Sequence, residues 1–302
     1  MNDTWLILDC NFLCYRALWS IGELSHNGIQ TGVAFGFLSD MLGFQTRFGA
    51  QHVIFCFDSK QSKRKKLYPQ YKANRHKPDK NATPEEIEEQ KLHQLEFYKQ
   101  VYYLRETILP DLGYGTKTMM TPGYEADDWV SQACNILARD YPYDTKIIIS
   151  GDYDLLQCLN STTELYDPTR KKRHTNQSFY KKYGISPGLW PKVKAIAGCQ
   201  SDNIQGIPSV GEKTAIKYLK FMLARKYKSY KNITSPKGIE TIKQNYILTK
   251  LPFENGLPDY YFNKEQPDNG KWRQVTKSLG MTMLINAKPQ VRKRKGLLSK
   301  GD

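Results

Sequence analysis

Three short apolar runs, each followed by an acidic residue, constrain the fold of this chain more than any other feature. The runs cover residues 5–8, 53–57 and 146–149. Continuous apolar runs of four or five residues are typical of parallel strands that are buried on both faces. Helical patterns lie at residues 32–48, 84–109 and 125–140, and a further strand is predicted at 163–166. Because strands alternate with helices, the sequence predicts an α/β fold with a parallel sheet.

The acids that follow the apolar runs predict a ligand site. Asp9 and Asp58 end the first two runs, and Asp152 follows the third after a Ser-Gly pair. The carboxyl ends of parallel strands lie at one edge of an open α/β sheet, and ligands bind there. We expect further acids at this edge. They are Asp154, Asp202, and the three acids of the segment GYEADDW, namely Glu125, Asp127 and Asp128.

Eight carboxylates at one edge of a sheet would repel one another unless cations neutralised them. Oxygen ligands without His or Cys favour Mg²⁺ or Mn²⁺. More than four carboxylates favour two ions, the arrangement that splits phosphodiesters. The alternative for any one of these acids is a loop residue or a helix N-cap, and the Glu-Ala-Asp-Asp cluster alone could simply favour a helix N-terminus.

The charge balance predicts a nucleic-acid partner. Lys and Arg total 45 and Asp and Glu total 30, so the formal net charge is +15. Nucleic acid is the first candidate partner and an anionic membrane the second. The segment 60–80 carries nine basic residues and two tyrosines, Tyr68 and Tyr71; the basic residues are Lys60, Lys63, Arg64, Lys65, Lys66, Lys72, Arg75, Lys77 and Lys80. This segment follows Asp58 and suits a single-stranded nucleic acid held above the acids; the alternative is a solvated charged loop.

A Gly-Pro turn at 206–211 predicts a second nucleic-acid contact. Gly206 and Gly211 flank the turn, and Lys213 lies just inside the next predicted helix. Glycines permit close approach of a backbone, and N–H groups at a helix N-terminus favour phosphate oxygens. The turn can therefore grip duplex DNA without reading its sequence; the alternative is an ordinary turn between helices.

Other features place the protein in the cytoplasm. It has no run of 18 apolar residues, and its first residues are acidic where a signal peptide would be basic. Its six cysteines form no CxxC pair, so we expect reduced thiols and no zinc site.

The pattern of helices and strands changes near residue 180. We therefore predict an α/β domain over 1–180, a helical region over 181–285, with a loose connection at 255–275, and a basic tail over 286–302.

Six stretches resemble the 5′→3′ exonuclease/flap endonuclease family, which includes the 5′-nuclease domain of bacterial DNA polymerase I and separate phage 5′ nucleases. They are ILDCN, FCFDS, RKKLYPQYKANR, GYEADD, SGDYDLLQ and GCQSDNIQGIPSVGEKTA, and they occur in this order within residues 1–225. The resemblance implies a PIN-like nuclease domain with a basic helical arch at about 60–95 and a helix–three-turn–helix region at about 187–227.

The resemblance also implies roles for individual residues. Asp9, Asp58 and Glu125 would hold one divalent ion and Asp152, Asp154 and Asp202 a second, with Asp127 between the ions and Asp128 beside it. Lys72 and Arg75 would contact the scissile phosphate, and Tyr71 would stack on a base. The implied DNA contacts elsewhere are Lys63, Arg64, Lys65, Lys66, Gly206, Ile207, Ser209, Gly211 and Lys213, with a K⁺ ion at the turn.

One position departs from the family. The family usually carries Gly-Asp-x-x-Asp-Asn before the turn, and this chain carries Gly198, Cys199 and then Asp202 and Asn203. A neutral thiol is a poor ligand for Mg²⁺. We therefore expect a weakened second metal site.

These observations predict a Mg²⁺-dependent two-metal 5′ nuclease, with Mn²⁺ able to substitute. The expected substrates are 5′ flaps, nicked or frayed duplexes and RNA primers on DNA, and we expect a monomer that does not bind membranes. Two alternatives stay open: a PIN-type ribonuclease, and a non-catalytic DNA-binding module with one weak metal site.

Overall fold

A mixed sheet of six strands lies at the centre of the computed structural model, which describes residues 2–75, 82–264 and 269–287. The strands found in these ranges are β1 (Thr4–Asp9), β2 (Ser25–His26), β3 (Ile29–Gln30), β4 (His52–Cys56), β5 (Thr118–Met119), β6 (Thr145–Ile149), β7 (Thr163–Asp167), β8 (Lys172–His174), β9 (Gly198–Cys199) and β10 (Ile204–Gln205). The central sheet has the order β5-β4-β1-β6-β7-β8, and only β8 is antiparallel to its neighbour. The predicted α/β fold with a parallel sheet is confirmed.

The register of the sheet brings the strand ends together. Leu8 pairs with Phe55 on one side and with Ile149 on the other. Asp9 and the acids that follow β4 and β6 therefore lie at the same edge of the sheet. Alternate β1 residues pack on opposite faces, since Ile7 belongs to one hydrophobic cluster and Leu6 and Leu8 belong to the other. This two-sided burial explains the continuous apolar runs.

Helices cover both faces of the sheet. In the described ranges they are α1 (Cys10–Ile21), α2 (Gly32–Phe48), α3 (Lys63–Leu67), α4 (Pro84–Tyr103), α5 (Leu109–Asp111), α6 (Ala126–Asp140), α7 (Asn176–Tyr183), α8 (Trp190–Ala197), α9 (Glu212–Leu219), α10 (Lys228–Thr234), α11 (Pro236–Thr249) and α12 (Asn269–Ser278). The helix predicted at 32–48 is α2. The one predicted at 84–109 begins at a capping box of Thr83 and Glu86 and continues from α4 through a π-helical turn, Leu104–Ile108, into α5.

Residues on both sides of position 180 share one hydrophobic cluster. Ile148 and Leu155 pack in the same cluster as Trp190 and Ile196. The domain boundary near 180 stays a prediction. The loose connection expected at 255–275 is wrong in part, because Phe262 is fully buried and α12 begins at Asn269. Residues 76–81, including Lys77 and Lys80, and most of the predicted basic tail lie outside the described residues.

Candidate metal centre and nucleic-acid interface

Seven carboxylates meet at the carboxyl edge of the sheet. Asp9 ends β1, caps α1 by accepting a hydrogen bond from the Phe12 N–H, and accepts a second bond of 2.7 Å from Ser150 Oγ. Asp58 is exposed at the mouth of the cluster and accepts a 2.7 Å bond from the Ala126 N–H. The acid cluster, as we call it, consists of Asp9, Asp58, Glu125, Asp127, Asp152, Asp154 and Asp202, whose charges act on one another.

Burial and mutual repulsion raise the pKa values of several carboxylates in the acid cluster. Burial, and then the charge of Asp58, raises the pKa of Asp9 to about 7. Burial and the charge of Asp152 raise the pKa of Asp154 to about 6 and that of Asp127 well above its ordinary value. A divalent cation among these oxygens would reverse the shifts by favouring the charged forms.

Asp128 does not join the acid cluster. It is completely buried, and its two oxygens accept 2.7 Å bonds from the two terminal nitrogens of Arg64. The same oxygens accept bonds from the N–H groups of Glu125 and Phe253. Successive helical residues lie about 100° apart around the axis, so Asp128 points away from the cluster that Asp127 faces. The expected role of Asp128 as a metal ligand is therefore corrected to that of a buried structural partner.

Arg64 is likewise buried and is not accessible for the expected contact with DNA. Its side chain is 2% exposed, and its Nε donates to the Leu248 carbonyl. Lys63 also has a partner within the protein, because its ammonium group donates a 2.8 Å hydrogen bond to the Tyr124 hydroxyl and lies over the Tyr124 ring. Lys65 and Lys66 are exposed on α3. Of these four basic residues, two therefore present free charge to the solvent.

The segment 70–75 is tied to the acid cluster through its side chains and backbone. Lys72 Nζ donates to Glu125 at 2.9 Å, and Arg75 donates to Asp202 at 2.7 Å. The Lys72 N–H donates to the Asp202 carbonyl, with Lys72 at a φ of 54°. Tyr71 is 3% exposed and donates its hydroxyl to Glu125 at 2.9 Å. Its expected base-stacking role does not fit this conformation, because the ring is buried.

The charges of this segment control the proton affinity of Glu125. Burial by itself would raise the pKa of Glu125, but the positive charges of Lys72 and Arg64 outweigh it and hold the pKa below its ordinary value. The same pairing, with a contribution from Asp202, raises the pKa of Lys72 although burial opposes this. Glu125 and Lys72 are therefore both charged at neutral pH.

Asp154, Cys199 and Asp202 form a compact group whose ligand atoms lie within 4.8 Å of one another. The Cys199 sulfur lies 3.8 Å from the Asp154 carboxylate, and burial and Asp154 raise the thiol pKa to about 11. The thiol is thus neutral at this position. Lys194 Nζ, which sequence reasoning missed, lies 3.4 Å from Asp154 and 3.0 Å from Glu212. A lysine within a helix carries no sequence signal for such a contact.

An exposed aromatic ring at the mouth of the acid cluster was also missed. Tyr15 lies on α1, stacks on Phe97 at 4.1 Å, and is 36% exposed. The charges of Asp58 and Arg75 act on its hydroxyl. Tyr15 follows Asp9 by six residues in the sequence. This spacing places Tyr15 near the acid cluster only because α1 begins directly after β1.

The predicted turn at 206–211 presents backbone rather than side chains. Gly206 packs against the Ala197 carbonyl with no room for a Cβ atom, and Ile207 is buried. Ser209 is exposed at a φ of 65°, and Gly211 caps α9. Lys213, in the first turn of α9, is exposed. The turn therefore offers a helix N-terminus and a cation on one surface.

Residues 4–184 match the family model described as the 5′-3′ exonuclease, N-terminal resolvase-like domain. This chain belongs to the 5′-3′ exonuclease family. Among its relatives, the 5′-3′ exonuclease of Aquifex aeolicus is 29% identical over 93% of this chain and 94% of its own length. DNA polymerase I of Mycobacterium tuberculosis is 31% identical over 72% of this chain, which matches 23% of that protein.

This exonuclease-family chain also shares its fold with a solved structure. The T5 D15 protein, co-crystallized with metal ions, superposes with a TM-score of 0.69 at 20% identity, over 94% of this chain and 100% of that one. Within the described residues of this exonuclease-family member, no helix is both long and apolar enough to cross a membrane.

The donor set of this exonuclease-family chain fits divalent cations. The acid cluster offers carboxylate oxygens, the ligands that hard cations prefer. Burial, together with repulsion between the carboxylates, raises the pKa values of Asp9, Asp127 and Asp154, and a bound cation would favour their charged forms. The group of Asp154, Cys199 and Asp202 has the geometry of a metal site but includes one neutral sulfur.

Proposed function

We propose that this chain is a Mg²⁺-dependent 5′ nuclease that hydrolyses phosphodiesters near the 5′ ends of flapped, nicked, frayed or RNA-primed DNA in replication or repair, with Mn²⁺ able to substitute. The observation that carries the proposal is the acid cluster with Lys72 and Arg75 bonded directly to it. Carboxylates that could bind divalent metal ions and basic side chains that could bind a phosphate therefore lie side by side. The relatives' names and the +15 net charge support nucleic acid as the substrate.

The acid cluster divides into two proposed cation sites. Asp9, Asp58 and Glu125 would hold one ion, and Asp152, Asp154 and Asp202 the other, with Asp127 touching both. Two divalent ions, when bound, would lower the pKa of a water and neutralise charge on the phosphate and the leaving oxygen. Asp9 is fixed for this role by its bonds to the Phe12 N–H and Ser150.

Lys72 and Arg75 would act on the scissile phosphate. Their side chains form ion pairs with Glu125 and Asp202, respectively. Cations bound by those carboxylates would compete with the two side chains and leave them available to phosphate oxygens. The hydrogen bond from the Lys72 N–H to the Asp202 carbonyl would hold the segment beside the acid cluster when the side chains change partners. The two residues would then stabilise the negative charge that develops in the transition state.

The turn at 206–211 would hold the duplex part of the substrate. Exposed Ser209, the N–H groups at the start of α9 and Lys213 suit phosphate oxygens, and a K⁺ ion would complete the contact.

Tyr15 would offer an aromatic face on which a displaced base could stack, which the buried ring of Tyr71 cannot offer. We propose that the protein acts as a monomer.

The test is cleavage of DNA with a labelled 5′ flap, with and without Mg²⁺. We expect Mg²⁺-dependent release of the flap and a product with a 5′ phosphate. Single-stranded RNA of the same sequence serves as the competing substrate. Cleavage of the RNA alone would favour a PIN-type ribonuclease, and binding without cleavage at any Mg²⁺ or Mn²⁺ concentration would favour a DNA-binding module.

Alanine at both Lys65 and Lys66 should weaken DNA binding without regard to sequence. Each lost phosphate contact lowers the slope of log affinity against log salt by about 0.9 on duplex or about 0.7 on single strands. The measurement is fluorescence anisotropy in EDTA at several salt concentrations. Alanine at Lys271 and Lys277, exposed on α12, is the matched control and should leave the slope unchanged. An unchanged slope for the α3 variant would show that these lysines do not touch the backbone.

Cys199→Asp should tighten divalent-ion binding. The change adds a carboxylate beside Asp154 and Asp202, and cation affinity rises with ligand charge. We expect the Mg²⁺ concentration for half-maximal thermal stabilisation to fall by about tenfold, equal to about 1.4 kcal/mol. In EDTA the added charge should lower the melting temperature. Cys199→Ser, which adds no charge, should match the wild type. An unchanged Mg²⁺ midpoint for Cys199→Asp would contradict a ligand role for position 199.

A further inference from the structure

An exposed apolar pair lies just beyond the end of α9. Phe221 is 97% exposed and Met222 is 66% exposed. They follow directly on the helix that begins at the turn at 206–211. We call these two residues the apolar tip.

The backbone of the apolar tip makes the choice of phenylalanine unusual. The Met222 N–H donates to the Lys217 carbonyl and the Phe221 N–H to the Tyr218 carbonyl, which together form a Schellman motif. Phe221 occupies its left-handed position with a φ of 58°. Glycine is the usual residue there, because a side chain is strained in that conformation. A strained and exposed phenylalanine adds almost nothing to packing, and such an outlier points to a contact outside the protein.

The surroundings of the apolar tip are strongly basic. Residues 206–231 contain seven basic residues and one acid, Glu212, which is paired with Lys194. The basic residues are Lys213, Lys217, Lys220, Arg225, Lys226, Lys228 and Lys231. An apolar pair flanked along the chain by exposed basic residues suits a surface that combines phosphates with apolar sugar and base edges.

Duplex DNA has such a surface, and proteins that bind its minor groove place apolar side chains in it. The eight residues of α9 span about 12 Å, so the apolar tip lies three to four base-pair steps from the turn at 206–211. We propose that Phe221 and Met222 contact the minor groove of the substrate's duplex arm, while the surrounding lysines contact its phosphates. This inference rests on the proposed function and adds a second duplex contact to the turn.

Phe221→Gly separates this role from a structural one. The variant removes the strain and the ring together, so we expect an equal or higher melting temperature and a Kd for flapped duplex at least about fivefold weaker. Phe221→Asn, which tolerates the same backbone conformation, should show the same loss of affinity. Phe221→Trp should keep the wild-type affinity. Anisotropy in EDTA gives each Kd, so cleavage does not enter the readout.

Two comparisons make the result specific. Single-stranded DNA of the same length should bind the wild type and Phe221→Gly equally. Tyr143→Asn removes an aromatic residue that is 76% exposed at the opposite edge of the sheet and should not change the affinity for duplex. Unchanged duplex affinity in both Phe221→Gly and Phe221→Asn would overturn the inference and favour a protein surface as the occupant. Failure of the wild type to bind flapped duplex would overturn the proposed function itself.

Discussion

Asp127→Asn should reduce cleavage by about a thousandfold or more while DNA binding survives. Asp127 is the acid on which the charges of Asp9, Asp58 and Asp152 all act, so its carboxylate is placed to serve both proposed cation sites. Losing that charge weakens both sites, and the ions supply several kcal/mol of charge stabilisation. The proposed contacts that hold DNA lie elsewhere. Single-turnover cleavage of a 5′ flap and anisotropy in EDTA give the two measurements.

The same variant should be more stable than the wild type in EDTA at pH 7. Burial and like charges raise the pKa of Asp127 in the folded protein, so the ionised form opposes folding above the ordinary pKa of about 3.9. Asparagine removes this cost, and the gain should vanish as the pH falls below that value, where aspartate is protonated in both states. Asp111→Asn, at an exposed acid on α5, is the control. Equal losses of cleavage and DNA binding would contradict the separate roles.

Arg64→Met should lower the free energy of unfolding by about 3–5 kcal/mol, because it leaves the buried Asp128 carboxylate without its partner. Arg64 also contacts the Leu248 carbonyl and lies over the Phe253 ring. The loss should therefore loosen the contact of α3 with the end of α11 and with the segment that follows it. Urea denaturation in EDTA measures the free energy, and Lys66→Met on the same helix should change it by about 0.5 kcal/mol or less.

The double variant Arg64→Met with Asp128→Leu tests the cause. Replacing both charges with apolar side chains removes the unpaired charge, so much of the stability should return. A double-mutant cycle then gives the coupling energy of the pair. A cost below about 1 kcal/mol for Arg64→Met alone would mean that solvent reaches Asp128 and that the pair is not structural.

The sheet and the edge at which the acid cluster lies could both be predicted from the amino-acid sequence alone. The apolar runs ending at Asp9, before Asp58 and before Asp152 identified the central strands within one or two residues. Their carboxyl ends had to meet, because parallel pairing places equivalent strand ends at one edge. Strand propensity and burial on two faces are properties of short segments, and the alternation of strands with helices implies parallel pairing, so a sequence is sufficient to predict these features.

Which charged side chains face the acid cluster could not be predicted from the sequence and depends on the packing of distant segments. Asp127 and Asp128 are neighbours of the same residue type, yet one faces the acid cluster and the other pairs with Arg64. That pair joins residues 64 positions apart, and Arg64 reaches Leu248 across 184 positions. The burial of Tyr71 depends on such long-range packing as well. Local patterns indicate which residues carry charge, but the partner and the burial of each charge depend on contacts between segments far apart in the chain.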